Sequence, residues 1–198
     1  MSDPHPTRPS LLVRIRDQRD AQAWSEFVDI YSPLIHGFGR KHGLQDADAV
    51  DLTQEVLRVV ARTAGRFDYD AARGSFRGWL FTIVRNELRD LLDRQHRTIP
   101  ASGDTGDQQQ LANLPDSEAD SSALWDQEHE RRMFAWAAER VRQEVQVTTW
   151  QAFWRTTVEG HAGKDVATDL GLSVAAVYLA KSRVMARLKE LVRRVEAD

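Results

Sequence analysis

Residues Asp165–Arg187, reading DVATDLGLSVAAVYLAKSRVMAR, constrain this chain more tightly than any other stretch. They predict a short helix, a glycine turn and a second helix. Val166, Ala167 and Leu170 are the apolar positions of the first helix. Gly171 suits the left-handed backbone that ends it, because a residue without a Cβ takes that conformation at no steric cost. Ser173 carries the side-chain oxygen that caps a helix N-terminus. Val177, Val184, Leu188 and Leu191 recur at helical spacing and predict the inner face of the second helix. Ser173, Ala175, Ala176, Tyr178, Leu179, Ser182 and Arg183 then fall outward or sideways near its start. A helix-turn-helix of this kind lays its second helix in the DNA major groove.

Charge supports that reading once it is taken locally. The formal net charge is only −3, yet the sign is segregated along the chain. Ala101–Glu130 holds eight acidic residues and no Lys or Arg, whereas Lys181–Arg194 holds six basic residues and one acidic. A DNA-binding protein needs positive charge in the right place rather than in the total. There is no cysteine, which excludes disulfides, thiolate metal sites and a cysteine nucleophile, and favours an intracellular setting. The opening MSDPHPTRPS lacks the charged-then-apolar pattern of a signal peptide. No apolar run approaches the ~18 residues that span a bilayer, so no membrane role is expected.

The rest of the chain reads as helices and breaks. After a proline-rich start, expected to be mobile, one helix begins near Leu11 and another near Asp20, where Trp24, Phe27, Val28 and Tyr31 recur at helical spacing. Pro33 marks a break or the first turn of a further segment, Leu34–His42, in which Gly37 and Gly39 permit close packing. Asp46–Ala64 is an amphipathic helix with Val50, Leu57, Val60 and Ala64 on one side and Asp48, Asp51, Glu55, Arg58 and Arg62 on the other. Phe67–Ser75 reads as a loop. Phe76–His96 is a second strong helix, with Phe76, Trp79, Leu80, Ile83, Val84, Leu88, Leu91 and Leu92 as its apolar stripe and Thr82, Arg85, Asn86, Arg89 and Asp93 opposite. Thr98–Ser122, rich in Asp, Gln, Ser and Gly, is expected to be a flexible acidic linker. Helical signals resume at Ala123, with Trp125, Met133, Phe134, Ala137 and Val141 in one helix and Trp150, Phe153, Trp154 and Val158 in the next. The fold expected is all-α: two small helical domains, 1–97 and 123–198, joined by a linker at 98–122. Trp125, Trp136, Trp150 and Trp154 are expected in the core of the second.

Enzymatic constellations are missing from the pattern. The six histidines, at 5, 36, 42, 96, 129 and 161, form no H-x-x-x-H pair. Asp46, Asp48, Asp51 and Glu55 have no calcium-loop spacing and lie within a helix. Gly37-Phe38-Gly39 lacks the third glycine of a dinucleotide fingerprint and follows no strand. No metal, cofactor or catalytic activity is expected.

Two segments carry a family resemblance. D-x-x-Q-E-V, beginning at Asp51, is followed about twenty residues later by F-R-G-W-L-x-x-I-x-R-N, beginning at Phe76, and the chain closes on the helix-turn-helix. This order resembles the extracytoplasmic-function (ECF) group of bacterial sigma factors, within the sigma-70 family, over roughly residues 20–97 and 123–193. The stretches WQAFWRTTVEG and VYLAKSRVMARL are similar to a planctomycete-type branch of that group. The resemblance implies sigma domains two and four, a cytoplasmic protein, and two partners: core RNA polymerase, through its beta-prime and beta subunits, and promoter DNA. Many members are also silenced by an anti-sigma factor. One departure stands out. Where members carry a basic run of the form V-K-S-R-L-x-R-A-R, this chain has Tyr178 and Leu179 in place of polar or basic residues.

The resemblance implies three working surfaces. The first is a docking face for the polymerase beta-prime coiled coil, with Asp48, Asp51, Gln54 and Glu55 as its polar groups and Leu52 and Val59 as an apolar seam beside them. Its ordinary reading is a solvated helix face with internal pairs such as Glu55 with Arg58 or Arg62. The second melts the minus-ten element, with Phe67, Tyr69, Arg73, Arg77, Arg85, Asn86 and Arg89 available to charge, hydrogen-bond or stack on an unpaired strand. Arg85 and Arg89 repel by about 0.2–0.5 kcal/mol in an isolated helix, a cost that a polyanion removes. Trp79 lies on the apolar stripe and reads as core. The third reads the minus-thirty-five element, with Ser173, Ala175, Ala176, Tyr178, Leu179, Ser182 and Arg183 facing the groove and Lys164 and Lys181 at phosphates. Two other readings stay open: a helix-turn-helix regulator acting outside polymerase, and an adaptor that binds only proteins.

Overall fold

The structure is a computed structural model and describes residues 11–66, 76–98 and 118–196. Every regular element among them is helical. The order is α1 (Leu11–Arg14), α2 (Ala21–Lys41), α3 (Asp46–Thr63), a 3₁₀ turn (Ala64–Arg66), α4 (Phe76–Thr98), α5 (Glu118–Glu144), α6 (Val147–Thr157), α7 (Gly163–Leu170) and α8 (Val174–Glu196). They form two compact units, one ending at Arg132 and the other running from Met133 to Val195. The division falls inside α5, past the start at Ala123 expected for the second domain. Residues 118–122, expected in the linker, are the first turn of that helix. The remainder of the expected linker, the 67–75 loop and the proline-rich start lie outside the described residues.

The first unit is built on α2. Asp20 caps it, its carboxylate accepting from the Ala23 N–H at 2.9 Å. Both guanidinium arms reaching that carboxylate come from Arg14 at the end of α1, each at 2.9 Å, and they hold the Asp20 carboxyl below its usual range. Phe27, Ile30, Tyr31, Leu34, Ile35 and Phe38 form the buried stripe of α2, whereas Val28, expected among them, is exposed. Gly39 gives the close approach its position suggested. A Cβ there would sit 3.0 Å from Leu52 Cδ2 and 3.1 Å from Leu44 Cδ1, so the bare backbone is what lets α3 lie against α2. Gly37 has nothing of the kind around it.

Pro33 does not break the chain, contrary to expectation; it lies inside α2. A proline within a helix cannot donate to the carbonyl four residues earlier, here that of Asp29. The structure supplies another donor. Arg132 of α5 places Nη2 2.7 Å from the Asp29 oxygen and Nε 3.3 Å from that of Ile30. The side chain that meets the Asp29 carbonyl therefore stands about a hundred positions away in sequence.

That arginine ends a stretch of α5 that closes the first unit. Trp125 is buried, with its ring 5.4 Å from Phe38 and 5.9 Å from Phe81. It belongs to this core and not to the second domain's, where its sequence position suggested. His129 is buried beside Tyr31, ring centroids 5.9 Å apart. Arg77 pairs with Asp126 at 3.0 Å, and Lys41 pairs with Glu128. Burial pushes the His129 imidazole down to about 4, with the Arg77 charge acting in the same sense and Asp126 opposing. Burial likewise lowers His42.

The second unit packs the end of α5 with α6, α7 and α8. Met133, Trp136, Ala137, Ala138 and Val141 are buried, but Phe134, expected with them, is exposed. Trp150 and Trp154, expected as core, are only half-buried and stack on each other at 5.5 Å. Val158 is exposed. A compact cluster of Ala152, Val166, Ala167, Val177 and Ala180, with Leu170 and Leu172 packed on it, holds the helix-turn-helix together. Arg187 of α8 grips Glu144 through two bonds of 2.6 and 3.0 Å.

Two predictions follow from the first unit. Arg132→Ala should lower its unfolding free energy by about 0.5–1.5 kcal/mol, the net worth of a hydrogen bond at a site water can reach. In a Pro33→Ala background, where an amide N–H is restored, the loss should be clearly smaller; urea titrations of the four proteins read the coupling, and equal losses would disprove the assignment. The second concerns pH. An unfolded histidine titrates near ~6.5, above the folded value of about 4 for His129. Stability from its neutral burial is complete above pH ~6.5 and declines as pH falls toward 4. His129→Gln should flatten the decline in urea midpoint between pH ~6.5 and ~5.

Candidate functional site

The helix-turn-helix is built as its sequence suggested, and each joint has a local cause. Gly171 sits at φ 64°, ψ 32°, and ends α7. The N–H of Leu172 reaches back to the Ala167 carbonyl at 2.8 Å, and that of Gly171 to Thr168 at 3.3 Å. This double return is a Schellman closure, sealed by Leu172 against the core that contains Ala167. Two residues later Ser173 begins α8, its hydroxyl accepting from the Ala176 N–H at 3.1 Å.

The azimuth of α8 is set by Val177, Ala180, Val184, Leu188, Leu191 and Val195, all buried. The opposite side is consequently open. Ser173, Ala175, Tyr178, Leu179, Ser182 and Arg183 are exposed, and Ala176 and Lys181 are half-buried. Lys164, on the first turn of α7, is exposed as well. All nine residues expected at this surface are thus at least partly accessible. Further along α8, Arg187 is engaged by Glu144 and by Glu190 at 2.9 Å, so its charge is spent within the unit.

The α3 surface differs from its sequence reading. Its buried side is Ala49, Leu52, Thr53, Val56 and Val60. Leu52, expected in an outward seam, is 0% exposed, and Val50, expected in the core, is 41% exposed. The helix is rotated by about one position from the pattern of its largest apolar residues. Thr53 can face inward because its hydroxyl donates to the Ala49 carbonyl at 2.7 Å. Leu52 therefore cannot serve as a docking contact, and Val59 is half-buried. The polar groups fare better. Asp51 and Gln54 are exposed, and Asp48 and Glu55 are half-buried. Glu55 pairs with Arg58, as the ordinary reading of the face expected. It also lines an open groove of about 390 Å³ with Glu87, Asp90, Asp93 and Arg94 of α4. Glu87 and Asp90 were not singled out from sequence, although Glu87, Asp90 and Asp93 recur every three residues and share one side of α4.

On the α4 surface, Phe67, Tyr69 and Arg73 lie outside the described residues. Arg85, Asn86 and Arg89 share one side of the helix, Arg89 exposed and the other two half-buried. Arg77, two turns earlier, is half-buried and holds Asp126. Trp79 is half-buried, 5.2 Å from the Phe76 ring. Among the described residues no group of three or more His, Cys, Asp or Glu is placed to hold a metal ion. No helix among them is long and apolar enough to cross a membrane.

Comparison with known proteins places these surfaces in a family. Residues 27–98 match Sigma-70 region 2, a segment that takes in α3 and α4. The ECF RNA polymerase sigma factor RpoE of Cereibacter sphaeroides is 28% identical over 182 residues, covering 92% of this chain and 91% of that protein. RNA polymerase sigma factor NccH of Alcaligenes xylosoxydans is 25% identical, over 94% of this chain and 96% of its own length. CarQ of Myxococcus xanthus, also an RNA polymerase sigma factor, is 26% identical, over 94% and 98%. Among solved structures, CnrH in complex with the cytosolic domain of CnrY aligns at 21% identity and a TM-score of 0.36, over 92% of this chain and 94% of that one. The matches run nearly end to end through both units, so the chain is similar over its length to RNA polymerase sigma factors, the ECF factor RpoE among them, and carries Sigma-70 region 2.

Proposed function

We propose that this sigma factor directs core RNA polymerase to its promoters and helps to open them, with the work divided between its two units. The first unit binds polymerase and the minus-ten element; the second reads the minus-thirty-five element. The chain is a specificity subunit, working in the cytoplasm where polymerase works, and catalyses nothing itself. The observation that carries this reading is the open face of α8. Its buried line leaves Ser173, Ala175, Tyr178, Leu179, Ser182 and Arg183 presented to solvent at the tip of a helix-turn-helix, with Lys164 also exposed. A duplex major groove accepts such a helix, and its phosphates accept the flanking cations.

On the first unit, the polymerase-facing residues are Asp48, Asp51, Gln54, Glu55 and Val59, without Leu52. The exposure of Asp51 and Gln54 and the acidic groove beside Glu55 support contact with a basic partner surface. Arg77, Arg85, Asn86 and Arg89 are placed on the minus-ten strand, together with Phe67, Tyr69 and Arg73. The cationic side of α4 supports this, because a single strand is gripped through its phosphates.

The direct test adds the purified chain to core polymerase lacking any sigma and measures initiation at a candidate promoter. Initiation supports the proposal. Duplex binding without initiation would make the chain a regulator outside polymerase, and a stable protein complex with neither would make it an adaptor. Asp51→Arg should weaken polymerase binding by about tenfold, since reversing a charge places like charges together across the interface. Its circular dichroism and urea midpoint should stay unchanged, because Asp51 is exposed. Leu52→Arg should instead unfold the first unit by burying a cation. Arg183→Ala should lower promoter affinity by about 1–3 kcal/mol if its guanidinium reads a base, measured by titrating a labelled promoter duplex with holoenzyme.

A further inference from the structure

The first two turns of α8 present an unusual surface for a helix assigned to DNA. From Ser173 to Ala180 no side chain is charged. Val174, Tyr178 and Leu179 are instead exposed, at 42%, 59% and 57%. Among the described residues nine large apolar side chains are exposed, and three of them fall within these six consecutive positions. A helix has no packing reason to display a leucine and a tyrosine together at its tip, because each retains apolar area that burial would remove from water.

The surroundings decide what covers them. Lys164 and Arg183 are exposed on either side, and Lys181 is half-buried near by. An apolar centre with Lys164 and Arg183 exposed on neighbouring turns, and Asp165 the exposed acid beside Lys164, fits the DNA major groove, whose walls are phosphate. The one apolar group on its floor is the C5-methyl of thymine. Hydrogen-bond readout by these turns is limited. The Ser173 hydroxyl accepts from the Ala176 N–H and keeps only its proton to donate, and Ala175 and Ala176 offer only small surfaces that let the backbone come close. Arg183, in the third turn, is the first charged donor on this face.

Tyr178 and Leu179 are not equivalent. The Tyr178 ring lies against Gly163 at the start of α7, where a Cβ would stand 3.3 Å from its Cζ and hydroxyl oxygen. That contact leans the ring toward α7 and leaves Leu179 as the freer apolar group. Resting on the reading of this chain as a promoter-binding sigma factor, we infer that its upstream element is read chiefly through thymine methyl groups, with Leu179 as the principal specificity-determining contact. Arg183 and the lysines supply the polar and phosphate contacts around it. The class of DNA selected is then thymine-bearing base pairs at the end of the element that faces the N-terminus of α8.

The test uses holoenzyme assembled from core polymerase and the full chain. Duplexes are selected from a library randomised across the upstream element, and affinities are measured for the enriched sequence and for the same sequence with deoxyuridine replacing thymidine. The enriched element should contain thymine. Removal of each contacted methyl should weaken wild-type binding about fourfold, the effect of exposing one buried methyl-sized group. Leu179→Ala should bind the two duplexes equally, and Arg183→Ala should lose affinity while still distinguishing them. Leu179 is exposed, so the substitution leaves the core untouched. Enrichment of elements without thymine, or equal wild-type affinity for both duplexes, overturns this inference alone. A full methyl effect in Leu179→Ala overturns the assignment to that residue. If no upstream element is enriched, both this inference and the promoter-binding reading fall.

Discussion

One line of side chains decides what α8 can do. Val177, Ala180, Val184, Leu188, Leu191 and Val195 are all buried, and a straight helix that buries one line has no remaining freedom about what it shows to solvent. The two joints before it fix where that line begins. The Schellman closure at Gly171 and the Ser173 cap use backbone groups that the sequence cannot easily reassign. The outward surface follows from packing: the residues α8 presents to solvent are those the core leaves over.

Charge is sorted by the same logic. The basic end of the chain reads as one run, but its members serve different ends. Arg187 is committed to Glu144 and Glu190 and holds α8 within the second unit. Arg155 is likewise held by Asp169 at 2.6 Å. Lys164 and Arg183 are exposed beside the open face. Total charge said little about partners, and the charge of individual helices said only somewhat more. The separation between structural and available cations depends on which carboxylates come near, and that is a tertiary property.

The legibility of the sequence tracks how uneven each helix is. In α8 Val177, Val184, Leu188 and Leu191 recur on a single line, and the inner face predicted from them is buried throughout, while Val174, Tyr178 and Leu179 lie off it. In α3 Val, Leu and Ala are spread around the helix, so size alone favoured Val50 and Leu57 as core. The actual buried side uses Ala49 and Thr53, which look outward by composition. Ala49 is small enough for the approach at Gly39, and Thr53 satisfies its own hydroxyl on the helix backbone. Pro33 misled for a different reason. Local rules end a helix there, and nothing nearby in sequence reveals that Arg132 replaces the missing donor. Trp125 was assigned to the second domain because it follows the linker, a rule of proximity that α5 breaks by serving both units.

That shared helix gives the first unit its closure. Trp125 fills its core, Arg132 completes α2, and Asp126 and Glu128 meet Arg77 and Lys41. Only the first is a strong determinant. A large aromatic in a core is worth several times an exposed ion pair, which contributes about 0–1 kcal/mol, whereas the exposed bond from Arg132 is of the ion pair's own order. The pair at Arg77 therefore orders the side chain without withholding it. The same helix is thus essential to the fold through Trp125, while its acidic contacts to Arg77 and Lys41 contribute little.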